Sequence, residues 1–253
     1  MLTRFSKIDD DDDDDDDGDD GITTKKSTKP TVLVLFGPPG SGKGTQSRSL
    51  ASRSPKWIHI DFGQCIRNAV NNRTDIGQKV LKSGLFKAGK ILPPEIVFQI
   101  VDDAFRRHQC DGVNHFIIDG ICRTLKSTKH LLDIANIVLC VDLQISEKDI
   151  IERVCGRRIH KPSGRTYHIK HNPPRVLGLD DVTGEKLHRR SNDTPEGIRS
   201  RMIVHRDESL PILDFFRDVS YTPVLSLDAT LPIQKITQRI EAAYTDITGG
   251  LSF

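Results

Sequence analysis

The sequence predicts an α/β fold in which a five-stranded parallel sheet lies between two layers of helices. Short apolar runs recur along the chain, and amphipathic stretches of helical length separate them. This alternation of strand and helix signals is typical of α/β proteins. The apolar runs are continuous rather than alternating, which indicates strands that are covered on both faces, as in a parallel sheet.

Each element follows from its own stretch of sequence. The predicted strands are residues 32–36, 57–60, 116–118, 137–141 and 223–227. The predicted helices are residues 43–53, 95–108, 126–134, 147–158, 195–217 and 232–244. Residues 156–193 break the alternation, because they hold three Pro, four Gly and four His with little apolar periodicity. So long a stretch without core-building residues is typical of a functional lid, and its place between two predicted helices indicates an inserted one.

Residues 1–30 are predicted to form a disordered acidic tail. Residues 9–20 comprise eleven Asp and one Gly, a composition that repels itself and offers no apolar surface to bury. The chain has a net charge of +2, but residues 21–253 alone carry 35 Lys and Arg against 24 Asp and Glu, or +11. That excess predicts a polyanionic partner such as nucleotide phosphates, nucleic acid or an acidic surface.

Composition also indicates the compartment. The five cysteines are odd in number and include no C-x-x-C pair, so a reducing compartment is expected rather than a disulfide scaffold. The N-terminus lacks the apolar core of a secretory signal, and its run of acids does not suit a transit peptide. No apolar run is long enough to form a membrane-spanning helix. We therefore expect a cytoplasmic protein that does not enter a membrane.

A glycine-rich turn joins the first predicted strand to the first predicted helix. It reads Gly37-Pro-Pro-Gly-Ser-Gly-Lys-Gly-Thr45. A P-loop likewise follows a buried strand and opens a helix. Backbone N–H groups would surround phosphate oxygens, Lys43 would reach the outer phosphates, and the helix N-terminus would add partial positive charge. Gly44 replaces the Ser or Thr of the general pattern, and the hydroxyl comes one residue later. The dinucleotide fingerprint G-x-G-x-x-G fails, because Thr45 occupies its third glycine position.

Six further motifs follow in order along the chain. They span residues 118–124, 156–160, 162–168, 172–174, 180–185 and 189–193. The first reads Ile118-Asp-Gly-Ile-Cys-Arg-Thr124 and resembles the D-G-F-P-R-T motif of the adenylate kinase family of nucleoside monophosphate kinases. The others resemble the long-lid form of that family. With the phosphate loop, the resemblance covers the chain from residue 31 to about residue 244.

The resemblance implies a P-loop three-layer α/β/α fold over residues 31–253. Within it we expect a monophosphate-binding segment at residues 61–92, the acceptor segment, and a lid at residues 156–193, the lid segment. The implied reaction is reversible, Mg²⁺-dependent transfer of the γ-phosphoryl group of ATP to a nucleoside monophosphate, with AMP first among the acceptors. Phosphoryl transfer needs mainly alignment and cations around spreading negative charge, which suits the arginines of the motifs. An enzyme that closes a lid around one site needs no partner subunit, so a monomer is expected.

Matching positions in the family imply the site residues. The expected catalytic residues are Lys43, Arg123, Arg157, Arg190 and Arg201. The expected ATP-binding residues are Gly40, Ser41, Gly42, Lys43, Gly44, Thr45, Arg153, Arg157, Thr166, Tyr167 and Leu231. The expected monophosphate-binding residues are Phe62, Arg67, Lys90, Ile91, Leu92, Gly120, Arg123, Ser127, Arg190 and Arg201. Asp119 ends a predicted strand beside the P-loop and is expected to orient Mg²⁺ through water, with a strand-end cap as its alternative role.

The lid segment has the spacing of a Cys₄ zinc ribbon without its cysteines. His160, Ser163, Asp180 and Thr183 stand at the four ligand positions. Ser and Thr hydroxyls are poor Zn²⁺ ligands, so we expect a polar network in place of the metal, and no zinc.

Departures from the family pattern cluster on the monophosphate side. The replaced positions are Phe62 for Thr, Gln64 for Asp, Ile121 for Phe, Cys122 for Pro, Ser127 for Gln and Asn192 for Asp, and two extra residues lie between Gly77 and Gly89. Phe62 would offer stacking area to a base instead of a hydrogen bond. The missing amide at Ser127 removes a contact that normally selects adenine.

Three functions therefore remain open. The first is a working ATP-dependent kinase of AMP or of a monophosphate with another base. The second is a catalytically weak relative that binds ATP as a regulatory module, an alternative motivated by Gln64 and Ser127. The third is a nucleic-acid-binding surface, which is disfavoured because three Tyr and one Trp give little area for stacking along a strand.

Overall fold

A computed structural model describes residues 29–191, 193–251 and 253. The predicted tail falls outside the described residues except for its last two, Lys29 and Pro30, and Asn192 also lies outside them.

The central sheet has five strands, all parallel, as the sequence predicts. The seven strands of the described chain are β1 (Thr31–Phe36), β2 (Trp57–Asp61), β3 (His115–Asp119), β4 (Asn136–Gln144), β5 (Arg157–Ile159), β6 (Thr166–His168) and β7 (Val224–Asp228). The order in the large sheet is β2-β3-β1-β4-β7, while β5 and β6 form a separate antiparallel pair in the lid segment. The α/β fold class is therefore confirmed.

Helices connect the strands. They are α1 (Lys43–Ala51), α2 (Phe62–Asn71), α3 (Asp75–Ser83), α4 (Pro94–Gln109), α5 (Leu125–Ile134), α6 (Glu147–Cys155), α7 (Pro195–Val204), α8 (Pro211–Asp214) and α9 (Ile233–Ile247). Single π-helical turns at His205–Ser209 and Phe215–Val219 follow α7 and α8. Helices α2 and α3 lie in the acceptor segment, where no helix was predicted.

Alternate residues of β1 face two different layers of helices, which gives the three-layer arrangement. Val32 and Val34 point to the core formed with α4, α5 and α8. Leu33 and Leu35 point to the core formed with α1 and α9. Because both faces are buried, the strand is apolar throughout, as its sequence indicates.

The carboxyl ends of three neighbouring strands bring polar residues to one edge of the sheet. The phosphate loop begins at Gly37, directly after β1, and the pairing of β2 with β3 sets Asp61 beside Asp119. In open α/β sheets this edge is where ligands bind. The fold therefore positions the predicted site before any side-chain detail is considered.

One predicted helix end is wrong, and one predicted helix is interrupted. The helix predicted over residues 147–158 ends at Cys155, and Arg157 begins β5. A Cβ atom on Gly156 would lie 2.2 Å from Nε2 of His168, so the chain at this point packs directly against the returning strand. The single helix predicted over residues 195–217 is divided, because Pro211 has no N–H with which to continue regular helical hydrogen bonding.

Within the described ranges, no helix combines the length and the apolar character required to cross a membrane. All five cysteines belong to the described chain, and all are free thiols.

Candidate active site

The phosphate loop has the backbone of an anion cradle. Gly40 and Gly42 adopt φ values of 88° and 101°, which side-chain-bearing residues rarely adopt. Gly40 is also confined by packing, since a Cβ atom there would lie 2.5 Å from Cγ2 of Val154. Nζ of Lys43 donates hydrogen bonds to the carbonyls of Gly37 and Pro38, at 2.8 and 2.9 Å. The lysine charge is thus held at the loop itself.

Asp119 lies next to this lysine at the end of β3. Desolvation raises the pKa of Asp119 to about 6, which Lys43 opposes and the neighbouring carboxylate of Asp61 reinforces. The same environment lowers the pKa of Lys43, first through desolvation and then through Arg123, while Asp119 raises it. The loop therefore faces a carboxylate whose charge is costly, beside a cation that offsets that cost.

The predicted catalytic arginines lie close enough to Lys43 or to one another to interact electrostatically. Arg157 and Arg123 lie close enough to Lys43 to lower its pKa, and Arg157 also lowers the pKa values of Arg190 and Arg201. Desolvation is the first cause in each case, and it takes the pKa of Arg190 to about 10. The cleft is lined by the phosphate loop, the end of β3 and α7, with Arg123 and Arg201 in its wall. Like charges held this closely indicate a site for a polyanion.

Asp193 organises two of these arginines, and sequence reasoning assigned it no role. Its carboxylate is fully buried and accepts hydrogen bonds from Nε and Nη2 of Arg157, at 2.9 and 2.6 Å. Nη2 of Arg201 lies 3.5 Å from the same carboxylate. The 189–193 motif contained this residue, but only the folded chain shows that it joins an arginine of the lid segment to one of α7.

His205 is a second residue that sequence reasoning missed. It lines the cleft, its ring lies 5.4 Å from that of Phe36, and it begins a π-helical turn. Desolvation lowers its pKa to about 4, followed by the charges of Lys43 and Arg123. It is therefore neutral at physiological pH. Since π-helical turns are frequent at functional sites, this feature of the structure marks the residue, whereas nothing in the sequence does.

The predicted donor side surrounds the phosphate loop. Nη2 of Arg153 donates to the carbonyl of Ala229, and a Cβ atom on Gly42 would lie 4.0 Å from Nη1 of Arg153. This arginine thus lies between the loop and the chain that follows β7, where Leu231 packs against the core. Thr166 and Tyr167 both lie in β6. The hydroxyl of Tyr167 donates to Asp180 at 3.0 Å, so its side chain belongs to the interior of the lid segment.

The predicted acceptor residues are placed unevenly. Phe62 and Leu92 are buried in the core, which leaves the ring of Phe62 little area to offer a base. The hydroxyl of Ser127 is buried and bonds the carbonyls of Ile121 and Thr124 at 3.1 and 2.9 Å. It also takes part in a capping box with Thr124 at the start of α5. Ser127 is therefore engaged within the protein.

The remaining acceptor residues border the cleft or its approach. Gly120 lines the cleft directly after β3, and Lys90 and Ile91 follow a turn that ends at Gly89, another residue of the cleft wall. Arg67 extends from α2, where desolvation lowers its pKa, Asp61 raises it and Arg157 lowers it. Arg67 thus interacts electrostatically with Arg157, one of the predicted catalytic arginines.

Hydrogen bonds join the four lid positions that the sequence predicts as a polar network. His160 bonds Ser163 and Thr183, and Oγ1 of Thr183 donates to Asp180 at 3.0 Å. Arg165 adds two hydrogen bonds to Asp180, at 2.8 and 2.6 Å. These bonds hold the pKa of Asp180 well below its usual range. Over the described ranges, no group of three or more His, Cys, Asp or Glu residues is arranged to hold a metal ion.

Comparisons with known proteins identify the family. A family model described as "Adenylate kinase" matches residues 35–221. An adenylate kinase of Francisella philomiragia is 34% identical over 214 residues, which cover 82% of this chain and 97% of the relative. Adenylate kinases of Francisella tularensis subsp. novicida and subsp. tularensis are also 34% identical over 214 residues, covering 82% of this chain and 96% of each relative. The chain therefore belongs to the adenylate kinase family and is a phosphotransferase.

Proposed function

We propose that the protein catalyses the reversible transfer of the γ-phosphoryl group of ATP to a nucleoside monophosphate, with AMP as the preferred acceptor, as a cytoplasmic monomer. The observation that carries the proposal is the convergence of Lys43 with the arginines of three different segments on one cleft. Phosphoryl transfer is promoted chiefly by alignment and by cations around the transferring group. The names of the similar proteins support the same pair of substrates.

In this proposal each cation has a position along the transfer path. Lys43 and the phosphate loop hold the outer phosphates of the donor, and Arg67 holds the acceptor phosphate. Arg123, Arg157 and Arg201 surround the transferring group, with Asp193 fixing the orientation of the last two. A guanidinium offers two parallel donors to a phosphate, which favours Arg at these positions.

Asp119 suits a bound Mg²⁺ ion. A carboxylate oxygen is the ligand type that this ion prefers. Desolvation and Asp61 destabilise the ionised form of Asp119, so a further cation beside it would stabilise that form. When bound with ATP, Mg²⁺ would neutralise phosphate charge. The contribution of the chain is to hold the Asp119 carboxylate beside the phosphate loop, at the end of a buried strand.

The lid segment would exclude water from the transferring group. Its hydrogen-bonded network would take the place of a structural metal, and Arg157, near the start of the segment, bonds the buried carboxylate of Asp193. Closure over the donor would direct the phosphoryl group to the acceptor rather than to solvent.

The test is ADP formation from ATP and each nucleoside monophosphate in turn, with Mg²⁺ present. We expect turnover with AMP, and Lys43→Met should lower kcat/KM by about 10²- to 10³-fold, because it removes a charge that stabilises the transferring phosphates. Lys148→Met is the matched control, since this exposed lysine of α6 lies outside the cleft, and it should leave kcat/KM within about twofold of the unaltered chain.

The same screen separates the alternatives. The buried, fully engaged hydroxyl of Ser127 favours a second possibility, an acceptor other than AMP or a chain that binds ATP without turnover. Turnover with another monophosphate would establish a different acceptor. ATP binding without turnover on any monophosphate would establish a regulatory module and contradict the proposed reaction.

A further inference from the structure

Gln64 holds the guanidinium of Arg67, an arginine of the acceptor segment. Oε1 of Gln64 accepts hydrogen bonds from Nε and Nη2 of Arg67, at 3.0 and 2.9 Å. Nε2 of Gln64 donates to Oδ1 of Asn68 at 2.9 Å, and its backbone N–H donates to Asp61 at 2.9 Å. Both the oxygen and the nitrogen of the Gln64 side-chain amide are thus hydrogen-bonded, and these bonds fix the orientation of the amide.

The amide fixes the direction of Arg67 without cancelling its charge. Oδ2 of Asp61 lies 3.6 Å from Nη2 of Arg67, which is within ion-pair distance but beyond hydrogen-bond distance. Arg67 meanwhile shares an electrostatic environment with Arg157 and Arg190, since Arg157 lowers the pKa of Arg67 and both Arg67 and Arg157 lower that of Arg190. A neutral amide at residue 64 therefore orients the guanidinium without adding a second negative charge beside that of Asp61.

The lid segment touches this same amide. Gly164, in the turn between β5 and β6, has a φ of 73°, and a Cβ atom there would lie 3.2 Å from Oε1 of Gln64. The turn can approach so closely because glycine has no side chain. Gln64 is thus the point at which the lid segment meets the residue that would bind the acceptor phosphate.

We propose that Gln64 is a positioning residue that aims Arg67 at the acceptor phosphate and couples this aim to the approach of the lid segment through Gly164. This inference rests on the proposed function. It assigns no chemistry to Gln64, which acts through Arg67.

The first experiment compares Gln64→Ala with Asn68→Ala in the full chain. Gln64→Ala removes two hydrogen bonds to a charged group, so KM and Kd for AMP should rise about tenfold while KM for ATP stays within about twofold. Asn68→Ala removes the other partner of the amide but no bond to Arg67, and it should leave AMP affinity nearly unchanged. Isothermal titration calorimetry measures AMP binding without turnover, and a melting curve for each variant measures stability.

A purely structural role predicts a different pattern. It would lower the melting temperature and raise KM for both nucleotides together, whereas a positioning role changes the AMP constants alone. Gln64→Glu supplies the rescue test, because it retains the acceptor oxygen but adds a charge. It should keep Arg67 in place and restore AMP binding toward that of the unaltered chain, as the Asp of the family pattern at this position leads us to expect.

The second experiment is a double-mutant cycle on the lid contact. Gly184 lies in the same segment with a φ of 72°, but a Cβ atom there meets nothing within 4 Å. Gly164→Ala and Gly184→Ala therefore carry the same backbone strain, and only the first reaches Gln64. We expect Gly164→Ala to raise KM for AMP about threefold more than Gly184→Ala, and this excess to disappear in the Gln64→Ala background.

The outcomes separate this inference from the proposed function. If the unaltered chain binds AMP but forms no ADP, the proposed reaction fails while calorimetry still tests Gln64. If ADP forms normally and Gln64→Ala binds AMP as tightly as the unaltered chain, the positioning role is overturned alone. Equal effects of the two glycine variants, or an excess that persists without Gln64, would overturn the coupling to the lid segment. A chain that binds no AMP would overturn both proposals.

Discussion

Asp119 is the residue at which burial and charge conflict most clearly. Desolvation raises the pKa of its carboxyl to about 6, and the nearby carboxylate of Asp61 adds to this effect, while Lys43 opposes it. A cation placed beside the carboxylate would relieve the cost of its charge. The protonation of Asp119 should therefore affect both the stability of the fold and the proposed binding of Mg²⁺.

We predict that activity falls as the pH drops below about 6, because protonated Asp119 no longer favours a cation at the phosphate loop. Asp119→Asn should lower kcat/KM at neutral pH by about 10- to 100-fold, as expected for a residue that acts on a metal through water. It should also flatten the acid limb of the pH profile. Steady-state rates between pH 5 and 8 measure both effects, and an unchanged acid limb in the variant would contradict the assignment.

The same substitution has a defined effect on stability without ligand. Because the folded pKa of about 6 exceeds the ordinary carboxyl value of 3.8, the folded chain binds more protons than the unfolded chain between these values. The contribution of Asp119 to stability thus falls as the pH rises through this window. Asp119→Asn should raise the melting temperature at pH 7.5 and lose that advantage at about pH 4. Melting curves at the two pH values decide the point.

Residues within contiguous motifs could be assigned a role from the sequence, whereas the consequences of the positions that depart from the family pattern could not. Lys43 and Arg123 could be assigned from sequence because each lies within a contiguous motif that ends a buried strand or follows one. The structure does not support the predicted stacking of Phe62 on a base, because the ring packs in the core. The bond from Gln64 to Arg67 depends on side-chain conformations along α2, which the sequence does not specify.

At the scale of elements, the lid segment is held by polar contacts. Asp180 is buried and receives bonds from the side chains of Arg165, Tyr167 and Thr183. Since these bonds depress its pKa, their contribution is present above about pH 4 and is lost only in stronger acid. These hydrogen bonds to the ionised carboxylate of Asp180 are therefore retained over the physiological pH range.

We predict that Asp180→Ala loosens the lid segment while the neighbouring Asp181→Ala does not. Asp181 is exposed, and its side chain accepts a bond from the backbone of Arg175. Asp180→Ala leaves several buried donors without an acceptor, so cleavage within residues 156–193 by a protease of broad specificity should accelerate about tenfold or more. Limited proteolysis at pH 7.5 compares the two variants, and equal cleavage rates would refute the role of the network.

Elements with a regular hydrophobic pattern could be predicted from the sequence, whereas elements whose ends depend on tertiary packing could not. The strands of the sheet follow from apolar runs, and α4 and α9 from their amphipathic pattern. The end of α6 depends on His168, a residue twelve positions away that packs on Gly156. Helices α2 and α3 are short and are stabilised by packing on each other, with Gly77 so close to α2 that a Cβ atom would lie 2.0 Å from the carbonyl oxygen of Ala69.

At the scale of the whole molecule, the parallel topology explains why distant motifs form one site. Strand order places β1 between β3 and β4, so the phosphate loop, Asp119 and the start of α6 share one edge of the sheet. The fold class and this edge follow from sequence. The direction of approach of the lid segment does not, because it depends on the contact of Gly164 with Gln64.

Net charge is the other property of the whole chain, and it can be altered without changing any of the predicted site residues. Replacing the nine aspartates at positions 9–17 with asparagine raises the formal net charge from +2 to +11, whereas replacing them with glutamate leaves it at +2. The asparagine variant should attract anionic nucleotides more strongly, with KM for ATP lower by about twofold to fivefold at low ionic strength. The difference should disappear at about 1 M salt, where the screening length is only about 3 Å. Steady-state rates across a salt series measure this effect. Coincident curves for the asparagine and glutamate variants would show that the acidic run has no electrostatic influence on the site, since chain length is the same in both.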